Sequence, residues 1–236
     1  MKLLILSVTC LSLLLVAAAT VTAATIDIEV TNTTHNIYFT PLLITAHPAG
    51  EHLFQAGVAA TASLQAMAEG GDISLLLTDV GGADADTAAD PAAGLLPPGQ
   101  TTTTTLITAA GNSQLSLVGM LLPTNDGFVG LDGLTLPTTP GAYVYSLNGY
   151  DAGTEANDEL INTVNGGVPG IPGIPADPSG AAGTGGSGVA ASETNPVVHI
   201  HRGNLGDTNP TGGTSDLDST EHRWLNPVAQ LRLIVH

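Results

Sequence analysis

Ala229-Gln230-Leu231-Arg232-Leu233-Ile234-Val235 sets Ala229, Leu231, Leu233 and Val235 on one face, with Gln230 and Arg232 on the other. That two-residue period is the mark of a half-buried β-strand. A strand so near the C-terminus is expected to be paired inside a sheet. Thr25-Ile26-Asp27-Ile28-Glu29-Val30 repeats the pattern at the other end of the chain. Between them, extended character is read at Tyr38–Ala46 (bent by Pro41), Thr101–Thr108, Leu115–Leu122, Ala142–Leu147 and Val197–His201. Ala56–Glu69 is the best helical stretch, stopped by Gly70-Gly71. Residues 81–99 read as a surface loop. Seven or eight short strands with one helix and no internal repeat predict an all-β protein, an antiparallel β-sandwich. From Asn162 to Asn195, Gly, Pro, Ala and Ser dominate without apolar periodicity. Residues 162–195 therefore read as a loop insertion, flexible or an ordered excursion, and not as a second domain.

Composition narrows the function. The 236 residues carry 21 Asp+Glu against 4 Lys+Arg, a net charge of −17. Affinity for nucleic acid or anionic lipid needs a basic surface, so both are excluded as expected partners. Residues 1–24 read as a secretory signal peptide rather than an anchor: Met1-Lys2, an apolar run over Leu3–Ala19, then small residues with cleavage after Ala23 or Ala24. The only cysteine, Cys10, lies within it. The mature chain, residues 25–236, would hold Arg202, Arg223 and Arg232 as its fixed cations, carry −18, and form no disulfide or thiolate metal site. The expected location is secreted or extracellular, with periplasm or cell surface as variants. No insertion of the mature chain into a membrane is expected.

Two acidic connections stand out. Pro123-Thr124-Asn125-Asp126-Gly127 follows the strand ending at Leu122, and Tyr150-Asp151-Ala152-Gly153-Thr154-Glu155 follows the next long strand. If the chain reverses at each connection, both emerge at one end of the sandwich. The hairpin read around Asp132-Gly133 and Thr139-Pro140-Gly141 then falls at the other end. Asp126, Asp151 and Glu155 would face one another without a cationic partner, an arrangement a divalent cation relieves. Calcium suits it, taking six to eight oxygens in flexible geometry. The competing reading is that these acids are simply solvated.

Further residues carry a likeness. Thr40-Pro41-Leu42-Leu43, His47 through Phe54, Leu64-Gln65-Ala66-Met67-Ala68-Glu69, Asn125-Asp126-Gly127-Phe128-Val129-Gly130, Tyr150–Glu155 and Trp224–Ala229 resemble the spondin domain of F-spondin and mindin. That domain also occurs alone behind signal peptides in bacterial proteins. The resemblance spans roughly residues 25–236. It implies a β-sandwich like a C2 domain with one calcium site at its end, and maps the ligands to Asp126, Asp151 and Glu155. Glu155 departs from the aspartate expected there in animal members, and their disulfides have no counterpart here. Adhesion to matrix or to a cell-surface ligand is implied by analogy, the partner itself being unspecified. No catalytic motif is present and no enzyme activity is expected.

The histidines offer a rival. His199 and His201 lie two apart on a predicted strand and would share a face, where they could chelate Zn²⁺ or Cu²⁺. His47, His52 or His222 would complete such a site, making the chain an exported metal protein or hydrolase. The alternative is that they hydrogen-bond to loops as partly buried polar residues.

Overall fold

The computed structural model describes residues 23–80 and 85–236, and the predicted signal segment lies outside these save for Ala23 and Ala24. The described chain is mostly antiparallel β-sheet, as the alternating patterns predict. Ten strands form in chain order: β1 (Thr25–Asn32), β2 (Tyr38–Phe39), β3 (Leu43–His47), β4 (Asp86–Ala89), β5 (Thr101–Ile107), β6 (Gln114–Leu122), β7 (Gly127–Thr135), β8 (Gly141–Asp151), β9 (His199–Ile200) and β10 (Ala229–Val235). Two helices, α1 (Ala62–Gly70) and α2 (Leu76–Asp79), follow β3. The spatial order is β4-β3-β6-β7-β8-β10-β1-β5, with β2 added to β6 and β9 to β8. Among the described residues no helix is long and apolar enough to cross a membrane.

The terminal strands lock the sheet. β10 lies between β1 and β8, with Leu233 opposite Ile28 on one side and Tyr143 on the other. Its alternating residues Ala229, Leu231, Leu233 and Val235 are buried and Gln230 is exposed. They join Ile26, Ile28, Val30, Phe39, Leu117 and Trp224 in the main core. A second apolar cluster gathers Leu64 and Met67 of α1 against Val118, Met120, Phe54 and Phe128. Burying such rows of aliphatic side chains drives the fold, each contributing roughly 1.5–3 kcal/mol.

Some elements depart from the sequence reading. The helix begins at Ala62, not Ala56, because residues 57 and 58 bond to Val198 instead: Gly57 N–H donates to Val198 O, and Val198 N–H to Val58 O. Thr61 then caps α1, its hydroxyl accepting from Leu64 N–H at 3.1 Å. Pro41 divides the second extended run into β2 and β3. The predicted 81–99 loop contains β4, which pairs with β3. Asp132-Gly133 is not a hairpin turn; β7 runs through it to Thr135, and the pairing of β6 with β7 shifts register between Leu115 and Leu117. Asp132 is held there by His52 Nδ1 at 2.6 Å and Leu53 N–H at 3.2 Å.

The Gly/Pro-rich stretch 162–195 carries no helix or long strand, yet it is tied to the body. Ile174 is fully buried and pairs with Ile161, while Ser187 and Gly188 N–H donate to Gly213 O and Thr214 O. Carboxylates supply further ties. Asp216 accepts N–H bonds from Ile161, Thr184 and Gly186, each at 2.8 Å. Burial opposes ionisation of Asp216, but these donors outweigh it and hold its pKa below the usual value. Asp216→Ala would leave three N–H groups without their acceptor. It is expected to cost about 3 kcal/mol and to open the 180–190 segment to limited proteolysis while the sheet stays folded.

Candidate functional site

The β6–β7 connection and the residues after β8 do emerge at the same end. β7 and β8 pair antiparallel with Gly127 opposite Asp151, which sets Asp126 beside Asp151. The first connection is closed by Thr124, whose hydroxyl donates to Leu121 O at 2.6 Å and accepts from Gly127 N–H at 3.0 Å. The second turns at Gly153, whose φ of +71° suits glycine, and where a Cβ would stand 2.6 Å from Val197 N. The chain then folds back over Asp126. Asp126 Oδ2 accepts from Thr154 N–H at 2.7 Å, Glu155 N–H at 3.1 Å and the Thr154 hydroxyl at 3.2 Å.

All three predicted residues are buried: Asp126 is 0%, Asp151 2% and Glu155 3% exposed. The solvated-loop reading fails on that burial. Their oxygens are used unequally. Asp151 is fully engaged, accepting from Gly153 N–H at 2.8 Å and Asn157 Nδ2 at 2.6 Å, with His199 Nε2 3.7 Å from Oδ2. Glu155 Oε2 accepts from Gly173 N–H at 3.0 Å and Asn125 Nδ2 at 3.3 Å. Asp126 Oδ1 and Glu155 Oε1 are buried with no hydrogen-bond partner. A buried charged oxygen left bare is costly, and it is uncommon in native proteins.

The electrostatics follow from that burial. Desolvation, with the neighbouring Asp151 charge, raises the Asp126 pKa to about 7 against the N–H bonds that pull it down. Desolvation raises Glu155 to about 8, helped by the charges of Glu69 and Asp126. Asp151 is also raised, again chiefly by burial. Asp126 is thus the shared neighbour of the other two. Among the described residues no group of three or more His, Cys, Asp or Glu side chains is gathered tightly enough to hold a metal ion as it stands.

A family model described as Spondin_N matches residues 31–162, more than half of the chain. The chain belongs to the Spondin_N family. The match takes in both acidic connections and the three carboxylates Asp126, Asp151 and Glu155, and ends where the Gly/Pro-rich stretch begins. No curated protein matches the chain.

Sequence reasoning missed a fourth acid of this Spondin_N protein. Glu69, in the last turn of α1, is fully buried; Oε1 accepts from Gln65 Nε2 at 2.8 Å and Oε2 from Gly170 N–H at 2.7 Å. A single charged residue in an alanine-rich helix was the available signal. Asn125 was also passed over; its Nδ2 reaches Glu155 and Asp158, and its Oδ1 accepts from Glu159 N–H.

Among the described residues His47, His52 and His222 do not join His199 and His201, so the rival histidine site is not assembled, and the histidines make local contacts as in the alternative reading. His47 Nε2 meets Ser116 Oγ at 2.8 Å, and Ser116 in turn contacts Asp132, the partner of His52. His222 Nε2 lies 3.2 Å from Asp177 Oδ2, beside the Gly/Pro-rich stretch. His201 is buried against Trp224, its Nδ1 accepting from Gly203 N–H, and burial lowers its pKa to about 3. His199 instead faces Asp151. Each ring has its own local partner. Arg202, distant in sequence from both acidic connections, approaches Glu159 at 3.8 Å rather than the bare oxygens.

Proposed function

We propose that this chain is an extracellular, non-enzymatic module that binds one calcium ion between the β6–β7 connection and the residues after β8. The observation that carries this reading is the pair of buried, unpartnered carboxylate oxygens, Asp126 Oδ1 and Glu155 Oε1. They are hard anionic donors to which, among the described residues, no lysine or arginine forms an ion pair, which suits calcium over softer metals. Asp126 and Glu155 would hold the ion directly. Asp151, its oxygens already engaged, would add negative potential beside Asp126. Neutral oxygens from backbone or water complete a calcium shell of six to eight. The ion supplies positive charge to buried carboxylates. Clamped in this way, the end of the sandwich becomes a fixed surface for an extracellular or cell-surface ligand, an adhesion role supported by family membership.

Thermal melting tests the reading. Stripping metal with a chelator is expected to lower the melting temperature by several degrees, and calcium to restore it, since a ligand at about 100 times its Kd stabilises by about 2.7 kcal/mol. Magnesium, which demands tighter octahedral geometry, is expected to restore less. A melting temperature indifferent to both chelator and calcium would count against the site.

A further inference from the structure

The Glu155 side chain has two different jobs at its two oxygens. Oε1 is one of the bare atoms of the candidate site, whereas Oε2 holds Gly173 N–H at 3.0 Å. Glu69 grips the same excursion three residues earlier, through Gly170 N–H at 2.7 Å. The segment between Ile161 and Ile174 is a closed loop: its ends bridge, Asn162 N–H donates to Ile174 O, and Ile174 N–H to Leu160 O. Its tip displays Val164, 84% exposed, and Val168, 49% exposed. It also rests on the C-terminal end of α1, where a Cβ on Gly70 would stand 2.3 Å from Gly167 O.

We infer that Glu155, with Glu69 as a second anchor, couples the calcium site to this loop, so that calcium binding tightens residues 163–173 and fixes the apolar tip in place. This rests on the calcium reading above. The physical argument is geometric. The carboxylate of Glu155 is one planar group, so an ion held at Oε1 also fixes Oε2 and the Gly173 N–H that donates to it. Glu69 ties Gly170 of the same closed loop to α1, and the loop is then held at two points three residues apart. Linkage is reciprocal: whatever calcium does for the loop, the loop does for calcium affinity.

Amide hydrogen exchange on the full chain, with and without calcium, tests the coupling. Exchange at Gly170 and Gly173, which open locally and not with the whole sheet, is expected to slow about tenfold when calcium binds. Gly70→Ala pushes the loop from the helix without altering any carboxylate. It is expected to weaken calcium binding by about the same factor, with the wild-type circular dichroism spectrum retained. Calcium binding seen by calorimetry with no change at Gly170 and Gly173 would overturn the coupling and leave the site standing, as would wild-type affinity in a folded Gly70→Ala protein. Absence of any calcium heat would overturn both.

Discussion

Replacing Asp126 by Asn is expected to abolish the calcium response while raising the melting temperature of the metal-free protein near pH 8. The amide is almost isosteric, and its oxygen can take over the three bonds that Asp126 Oδ2 accepts from Thr154 and Glu155. What changes is the other atom. A bare anionic oxygen becomes an NH₂ group facing the charges of Asp151 and Glu155, so a repulsive contact turns attractive. Removing an uncompensated buried charge is expected to gain on the order of 2 kcal/mol in the absence of metal. The same change removes a ligand that neutral oxygens replace poorly, and calcium affinity should fall by at least about 100-fold. Melting curves with chelator and with calcium report both effects. A variant that still responds to calcium, or whose metal-free form melts below the wild type, would show that Asp126 has another role.

Stability of the metal-free protein should also decline as pH rises from about 6.5 to 8, the reverse of what salt-bridged carboxylates produce. Asp126 and Glu155 have folded pKa values of about 7 and about 8, above their ordinary 3.8 and 4.5. Within this window the folded chain therefore holds protons that the unfolded chain has released. Stability falls wherever the folded state binds more protons, so each group contributes stability at low pH that is lost as pH passes its folded pKa. His201 acts in the opposite sense, but below about 6.5, where the unfolded ring takes a proton that the folded ring refuses. Above that it is silent. The expected loss is about 2 kcal/mol, or several degrees in melting temperature, and calcium should abolish it because the ion replaces the protons. A flat metal-free profile over this range would contradict the burial argument.

What the sequence displays best is what depends on a short repeat. Alternation over Ala229–Val235 fixes both the strand and its buried face without any knowledge of partners. The two acidic connections are legible for a similar reason: antiparallel reversal alone brings residues after β6 and after β8 to one end, and the Gly127–Asp151 register realises it. Features that depend on distant pairing are hidden. Ala56–Ala60 has helical composition, but Val198 claims residues 57 and 58 for backbone pairing, and nothing local announces that. Asp132-Gly133 has turn chemistry, yet a bond from His52 and a register shift carry it within β7. The histidines look like a cluster only in projection along the chain; folding gives His47, His52, His199 and His222 separate partners in Ser116, Asp132, Asp151 and Asp177. Glu69 and Glu155 are linked through Gly170 and Gly173 in a segment with no periodicity at all.

The same limitation applies to the acidic surplus. Read as composition, 21 acids suggest a solvated surface or a salty habitat. Several instead act as backbone acceptors in regions without regular structure. Asp207 takes N–H bonds from Asn209, Thr214 and Ser215, and Glu159 from Leu205 and Gly206. With no cysteine among the described residues, such carboxylate knots organise long connections that small disulfide-rich domains fasten covalently.

Calorimetric titration of calcium into the metal-stripped chain near pH 8 addresses the central claim most directly. One ion per chain is expected, accompanied by a heat that varies with buffer ionisation enthalpy, since binding displaces the proton that Glu155, with a pKa of about 8, still partly holds. Saturable binding absent from the titration, or saturation unaltered in Asp126→Asn, would contradict it.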